Sequence, residues 1–179
     1  MKLIILDRDG VINQDSDNFI KTVDEFIPLA GSVEAIAKLK HAGYKVYIAT
    51  NQSGIFRGLY DVATLNAMHE KLAMQLNEHD AKIDGIEFCP HGPDDNCDCR
   101  KPKAGMYLKI AKHEGLADCS EVMVVGDSLR DLQAAQAINA KPHLVRTGKG
   151  ERTIKKGEGL KNIPVYYDLA DFVNQLLKP

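Results

Sequence analysis

The sequence predicts an α/β fold, a Rossmann-like parallel sheet flanked by helices. Three observations predict it. Short apolar runs alternate with amphipathic stretches along the chain, those stretches are long enough for right-handed helical crossovers, and several runs end directly in acidic or polar loops. The 179 residues fit a single domain spanning 1–179. A chain of this size buries about two-thirds of its unfolded surface and needs no disulfide staples.

Leu3–Leu6 reads as the first strand, running into Asp-Arg-Asp-Gly. Residues 32–42 set Val33, Ile36 and Ala37 on one helical face and stop at Gly43. A second strand follows at 44–49, then a helix over 62–78 carrying Leu65, Met68, His69, Leu72 and Leu76 on one side. Residues 86–89 form a short strand, and 104–114 a helix through Met106, Tyr107, Ile110 and Ala111 that ends at Gly115. The run 122–125 is a buried-type strand, and 129–139 is helical through Leu132, Ala135 and Ile138. Late strands fall at 143–146 and 165–167, and the last helix carries Leu169, Phe172, Val173, Leu176 and Leu177. Two stretches, 10–28 and 148–162, lack periodicity. Within the second, residues 148–159 hold Lys149, Arg152, Lys155 and Lys156 and read as a mobile solvated loop.

Hydrophobic residues make up 44% and charged residues 27% of the chain, the profile of a soluble globular protein. A net charge of −2 gives no basic field toward nucleic acid or a membrane surface. No apolar run is long enough to span a bilayer, and no signal-peptide pattern precedes the first strand. The expectation is a cytoplasmic protein acting as a monomer.

In open α/β sheets, ligands bind beyond the carboxyl ends of the strands. Asp7 and Asp9 close the first strand. In extended backbone their side chains share one side, and two carboxylates in one site need a cation or a retained proton. A division of labour meets both needs: Asp7 ionised, binding Mg²⁺ and attacking phosphorus, and Asp9 holding a proton for the leaving oxygen. The alternative is an acidic turn ending at Gly10. Val124-Val-Gly-Asp-Ser-Leu-Arg-Asp131 offers Asp127 to the same cation, with Asp131 one helical turn on, unless Asp127 or Ser128 simply caps a helix. Ile48-Ala-Thr-Asn-Gln-Ser-Gly54 places the Thr50 hydroxyl and following amides where phosphate oxygens would sit. Cys-Asp-Cys-Arg-Lys-Pro-Lys, residues 97–103, supplies a lysine for transition-state charge.

The order Asp-x-Asp, Thr, Lys, Gly-Asp-x-x-x-Asp resembles that of the haloacid dehalogenase (HAD) superfamily of phosphatases over nearly the whole chain. The resemblance implies Asp7 as nucleophile, Asp9 as general acid/base, and Thr50 and Lys101 as phosphoryl stabilisers, with Lys103 as the alternative lysine. It implies Mg²⁺ held by Asp7, the Asp9 carbonyl and Asp127, on adjacent first and fourth strands. One helix with loops is all that fits between Thr50 and Ile86, so no separate cap domain is expected.

Cys89, His91, Cys97 and Cys99 form C-x-H-x5-C-x-C, a complete tetrahedral set suited to structural Zn²⁺. The ion would brace the loop that presents Arg100 and Lys101. Cys119 lies outside the cluster and reads as a small buried side chain. The zinc loop narrows the resemblance to two groups of the superfamily, phosphatases of heptose bisphosphate in lipopolysaccharide-core synthesis and phosphatases of histidinol phosphate. The runs Thr50–Gly58, Arg100–Met106 and Leu144–Lys149 favour the first, and so a small phosphorylated sugar as substrate. By the same resemblance Asp15, Ser16, Asp17, Asn18, Asn51, Gln52, Ser53, Arg100 and Ser128 are expected to contact substrate. For residues 148–159, reach toward the second phosphate of a bisphosphate is the alternative to a solvated loop. A non-catalytic phospho-receiver is the reading from a different class; Asp9 argues against it, because a receiver needs no general acid.

Overall fold

The computed structural model describes residues 2–179. Six parallel strands form one sheet in the order β3-β2-β1-β4-β5-β6. They are β1 (Leu3–Leu6), β2 (Lys45–Asn51), β3 (Gly85–Cys89), β4 (Met123–Gly126), β5 (Lys141–Val145) and β6 (Val165–Tyr166). Between and after them run α1 (Ser32–His41), α2 (Val62–Asn77), α3 (Gly105–His113), α4 (Leu129–Gln136), α5 (Gly150–Lys156) and α6 (Leu169–Leu176).

The register follows from residues that alternate between two cores. Ile4 and Leu6 of β1, with Val46 and Ile48 of β2, face a core built with α1, α2 and α6. Leu3 and Ile5, with Tyr47 and Ala49, face the opposite core under α3 and α4. All four residues of β1 are buried, as expected of a central strand covered on both faces. Pairing of Leu3 with Lys45 and of Ile4 with Met123 seats β1 between β2 and β4. Asp7 and Asp127, one residue beyond their strands, therefore end side by side, and the Asp7 N–H bonds the Val125 carbonyl at 2.9 Å.

The strand and helix expectations agree with the structure to within a few residues at each end. Between β2 and β3 lie only α2 and its loops, so no cap domain covers the strand ends. No helix among the described residues is long and apolar enough to cross a membrane.

The reading of 148–159 as a solvated loop is overturned: Gly150–Lys156 is helical. Seven residues are too few to show a periodic stripe, and only Gly150 and Thr153 are buried. The helix is held by polar bonds to the site, which leave no apolar pattern in the sequence.

Candidate active site

The carboxyl ends of β1, β2 and β4 open on a cavity of roughly 270 Å³. Its lining includes Asp7, Asp9, Thr50, Lys101, Asp127 and Asp131. Asp7 Oδ1 accepts from the Arg8 N–H at 2.7 Å and pairs with Lys101 Nζ at 2.9 Å. The Lys101 ammonium is buried. It also meets Asp131 at 2.7 Å and the Ala49 carbonyl at 2.8 Å. Two opposing charges thus keep Lys101 protonated against the cost of burial, its pKa raised above the ordinary lysine value. Lys103 instead bonds the Cys97 carbonyl, so the geometry selects Lys101 for the site.

Asp7, Asp127 and Asp131 bring carboxylate oxygens within 4.8 Å of one another. Three carboxylates against one ammonium leave two negative charges uncompensated when all are ionised. Burial and then Asp131 raise the Asp7 carboxyl to about 7, against the pull of Lys101. Burial, Asp7 and Asp131 likewise raise Asp127 well above the usual carboxylate range. Asp131 is held low: burial acts upward, but Lys101 and bonds from Ser128 outweigh it. Its carboxylate is spent on Lys101 and on the Ser128 N–H and hydroxyl, which makes Ser128 the cap of α4. Asp7 Oδ2 and Asp127 Oδ1 accept no hydrogen bond from the described residues. Two free, electron-rich oxygens at adjacent strand ends fit a hard divalent cation.

Asp127 is gripped tightly. The Lys149 N–H donates to its Oδ2 at 2.7 Å. A Cβ built on Gly10 or Gly148, both at positive φ, would stand 2.0 or 2.2 Å from that same oxygen. Only glycine allows both turns to close on the carboxylate.

Asp9 sits in a different environment from Asp7. Its Oδ1 accepts from Arg8 Nε at 3.0 Å, Arg8 Nη2 at 2.7 Å and Asn13 Nδ2 at 2.8 Å, and its Oδ2 accepts from Gln52 Nε2 at 2.9 Å. Burial acts upward on its pKa, yet Arg8 and these bonds bring it below the usual value. Its four hydrogen bonds and the Arg8 charge thus set Asp9 apart from Asp7, which burial and Asp131 push the other way. Arg8 is fully buried, with its guanidinium 5.3 Å from the Phe26 ring centroid.

The polar loop after β2 is largely occupied in bracing. Asn51 and Lys101 exchange two bonds, Asn51 Nδ2 to the Lys101 carbonyl at 3.1 Å and the Lys101 N–H to Asn51 Oδ1 at 3.0 Å. Gln52 donates to Thr50 Oγ1 at 2.9 Å and accepts from the Tyr60 hydroxyl. Ser53, Ser16 and Arg100 line the cavity. Asp15 and Asp17 also line it, but both are paired with cations, Asp15 with Lys149 and Asp17 with Arg152, each at 2.7 Å. Asn18 is exposed and lies outside the lining.

Sequence reasoning passed over Arg8, Phe19, Arg57, Tyr60 and Arg130, which also line or brace the cavity. Lys149, given by sequence only an alternative reach toward an anionic ligand, does line the cavity, with its ammonium paired to Asp15. In the loop after β3, Cys89, His91, Cys97 and Cys99 converge, with Cys89 Sγ 3.5 Å from His91 Nδ1, 3.7 Å from Cys97 Sγ and 3.0 Å from Cys99 Sγ. The Arg100 guanidinium bonds the His91 carbonyl at 3.4 Å, tying the cluster to the rim of the cavity. Cys119 is buried, as expected.

A parallel sheet that delivers free carboxylate oxygens and a buried lysine to one open cavity defines a hydrolase of the phosphatase type. The chain belongs to the haloacid dehalogenase-like hydrolases, whose family profile matches residues 7–139. It is 53% identical over 177 residues to the D-glycero-beta-D-manno-heptose-1,7-bisphosphate 7-phosphatase of Pseudomonas putida, covering 99% of this chain and 100% of that protein. The protein of the same name from Bordetella bronchiseptica is 53% identical over 178 residues, covering 99% of each chain. The crystal structure of D,D-heptose 1,7-bisphosphate phosphatase from B. bronchiseptica, complexed with magnesium and phosphate, superposes with a TM-score of 0.96 at 54% identity, covering 99% of this chain and 98% of that one.

Proposed function

We propose that the chain hydrolyses the 7-phosphate of D-glycero-D-manno-heptose 1,7-bisphosphate through an aspartyl-phosphate on Asp7, in the synthesis of ADP-heptose for the lipopolysaccharide core. The observation that carries this reading is the Asp7 carboxylate. One oxygen is anchored by Lys101 and the Arg8 N–H, and the other has no partner at the cavity among the described residues. Full-length similarity to proteins named for that activity selects the substrate.

The Asp7 carboxylate attacks phosphorus as the bond to the sugar oxygen breaks, and Asp9 gives that oxygen its proton. Water then attacks the phosphoryl group, Asp9 takes a proton from it, and the bond to Asp7 breaks to release inorganic phosphate. The arriving phosphate dianion raises the proton affinity of Asp9 by like charge, which lets a carboxylate that is ionised in the free site serve as the acid. Lys101 and Thr50 meet the phosphoryl oxygens. Asp7, the Asp9 carbonyl and Asp127 would hold Mg²⁺, whose positive charge would favour ionised Asp7 and offset the charge of the phosphoryl group.

Ser16, Ser53 and Arg100 are the proposed substrate contacts, Arg100 through a two-pronged bond to phosphate or sugar oxygens. Asn51 and Gln52 act mainly as braces for Lys101 and Asp9. The Cys89, His91, Cys97 and Cys99 cluster is read as a structural zinc site. Tetrahedral Zn²⁺ sets sulfurs ~3.8 Å apart and nitrogen ~3.6 Å from sulfur, close to most of the separations in the cluster, and four protein donors leave no position for water. Four free cysteines suit a reducing cytoplasm. A site completed within one chain suits a monomer.

The test is phosphate release from heptose bisphosphate and histidinol phosphate side by side. Preference for the first by at least tenfold in kcat/KM is expected, and preference for histidinol phosphate overturns the substrate assignment.

A further inference from the structure

The segment 146–153, Arg-Thr-Gly-Lys-Gly-Glu-Arg-Thr, leaves β5 and touches three separate parts of the site. The Thr147 hydroxyl donates to the Gly10 carbonyl at 2.6 Å, in the turn that carries Asp7 and Asp9. The Lys149 N–H and the Thr153 hydroxyl donate to Asp127, at 2.7 Å to its Oδ2 and at 2.8 Å to its carbonyl. The Lys149 ammonium pairs with Asp15 at 2.7 Å, and Arg152 makes a two-pronged bond to Asp17 at 2.8 and 2.7 Å. Lys149 therefore holds a metal-site carboxylate by its backbone and the 14–20 loop by its side chain.

We propose that Lys149 is a positioning residue that couples the 14–20 loop to Asp127, so that seating of the loop over the cavity and aiming of Asp127 occur together. The parts pack closely. A Cβ on Gly148 would meet Asp127 Oδ2 at 2.2 Å and Gly10 Cα at 2.4 Å, and bonds from Thr147, Lys149 and Thr153 tie the segment to Gly10 and Asp127. The inner pair does the coupling. The Asp15 side chain is 13% exposed and that of Lys149 35%, whereas Asp17 and Arg152 are 63% and 64% exposed, where solvent and salt screen the pair. Coupling of this kind is reciprocal: if the seated loop favours cation binding at Asp127, cation binding favours the seated loop.

The experiment uses the full chain. Mg²⁺ binding is titrated by calorimetry without substrate, and kinetics are measured with p-nitrophenyl phosphate and with heptose bisphosphate. Lys149→Met and Asp15→Asn are expected to weaken Mg²⁺ binding three- to tenfold and to raise KM more than they lower kcat. Lys149→Arg keeps the pair and stays within twofold of the wild type. The exchanged double variant Asp15→Lys/Lys149→Asp recovers most of the loss. Arg152→Gln stays within twofold. Unchanged Mg²⁺ binding in both Lys149→Met and Asp15→Asn overturns the proposal. So does a double variant no better than the single ones, which would make the ammonium a direct substrate contact. The inference rests on the phosphatase reading only for its substrate arm. If wild-type protein fails on heptose bisphosphate, that reading falls while the Mg²⁺ arm still decides the coupling.

Discussion

Lys101 stands between Asp131 and Asp7, 2.7 Å from the first and 2.9 Å from the second, so the residue one turn into α4 shares the ammonium with the proposed nucleophile. Removing the ammonium with Lys101→Met is expected to lower kcat by on the order of 10²–10³, the usual effect of losing one stabiliser of transition-state charge. Asp131→Asn should act through Lys101 and the Ser128 cap, with a smaller fall in kcat, roughly tenfold, and a lower Tm. Steady-state kinetics with thermal unfolding checks both. An Asp131→Asn enzyme with wild-type kcat would show that Asp7 and the Ala49 carbonyl suffice to hold Lys101.

Asp9→Asn keeps the shape of the side chain and the Asp9 carbonyl but removes the acid. Turnover is expected to fall about 10²–10⁴-fold, with Mg²⁺ binding retained in calorimetry. Unchanged phosphate release would remove Asp9 from the chemistry.

His143 sets a pH limit on stability. Burial and then Lys141 push its pKa down to about 4, and its Nε2 is buried without a partner. The unfolded chain protonates this histidine near 6.5. Below that pH the unfolded state binds the extra proton, so stability falls as pH drops from about 6.5 to 4, by up to about 3 kcal/mol. Chemical unfolding at several pH values measures the slope. His143→Phe, packed against Tyr166 and Phe172, should flatten it within that window. A slope unchanged by the substitution would place the pH dependence elsewhere.

The cysteine cluster predicts one zinc per chain by atomic absorption. Stripping it with a chelator should loosen Arg100 and Lys101 together, lowering kcat/KM about tenfold or more and lowering Tm. Restored zinc should restore both. Full activity in zinc-free protein would separate the cluster from the site.

The sheet was legible because parallel strands covered on both faces read as unbroken apolar runs, as Leu3–Leu6 does. The strand-end residues were legible because carboxylates, threonine and lysine occur there in a telling order. Arg8 was not. Its burial depends on Asp9 beside it and on Phe26, Met68 and His69, which the fold brings from later in the chain. Asp15 and Asp17 read locally as open loop carboxylates, yet their partners Lys149 and Arg152 lie 134 and 135 positions away. Helix α5 is short and polar, so neither length nor periodicity announced it.

The uncovered strand ends have a consequence for how this enzyme can change. Asp7 is fixed by a central strand, and Lys101 by partners from β1, β2 and α4. Ser16 and Ser53, by contrast, sit on loops at the rim of the same cavity. Reaction and selectivity are thus mounted on separable pieces of chain. A library that randomises the rim loops and spares the strand ends should yield variants that still cleave simple phosphate esters while their preference among alcohols drifts. Such a fold is a ready starting point for new phosphatases, because its selectivity can be rewritten without rebuilding its nucleophile.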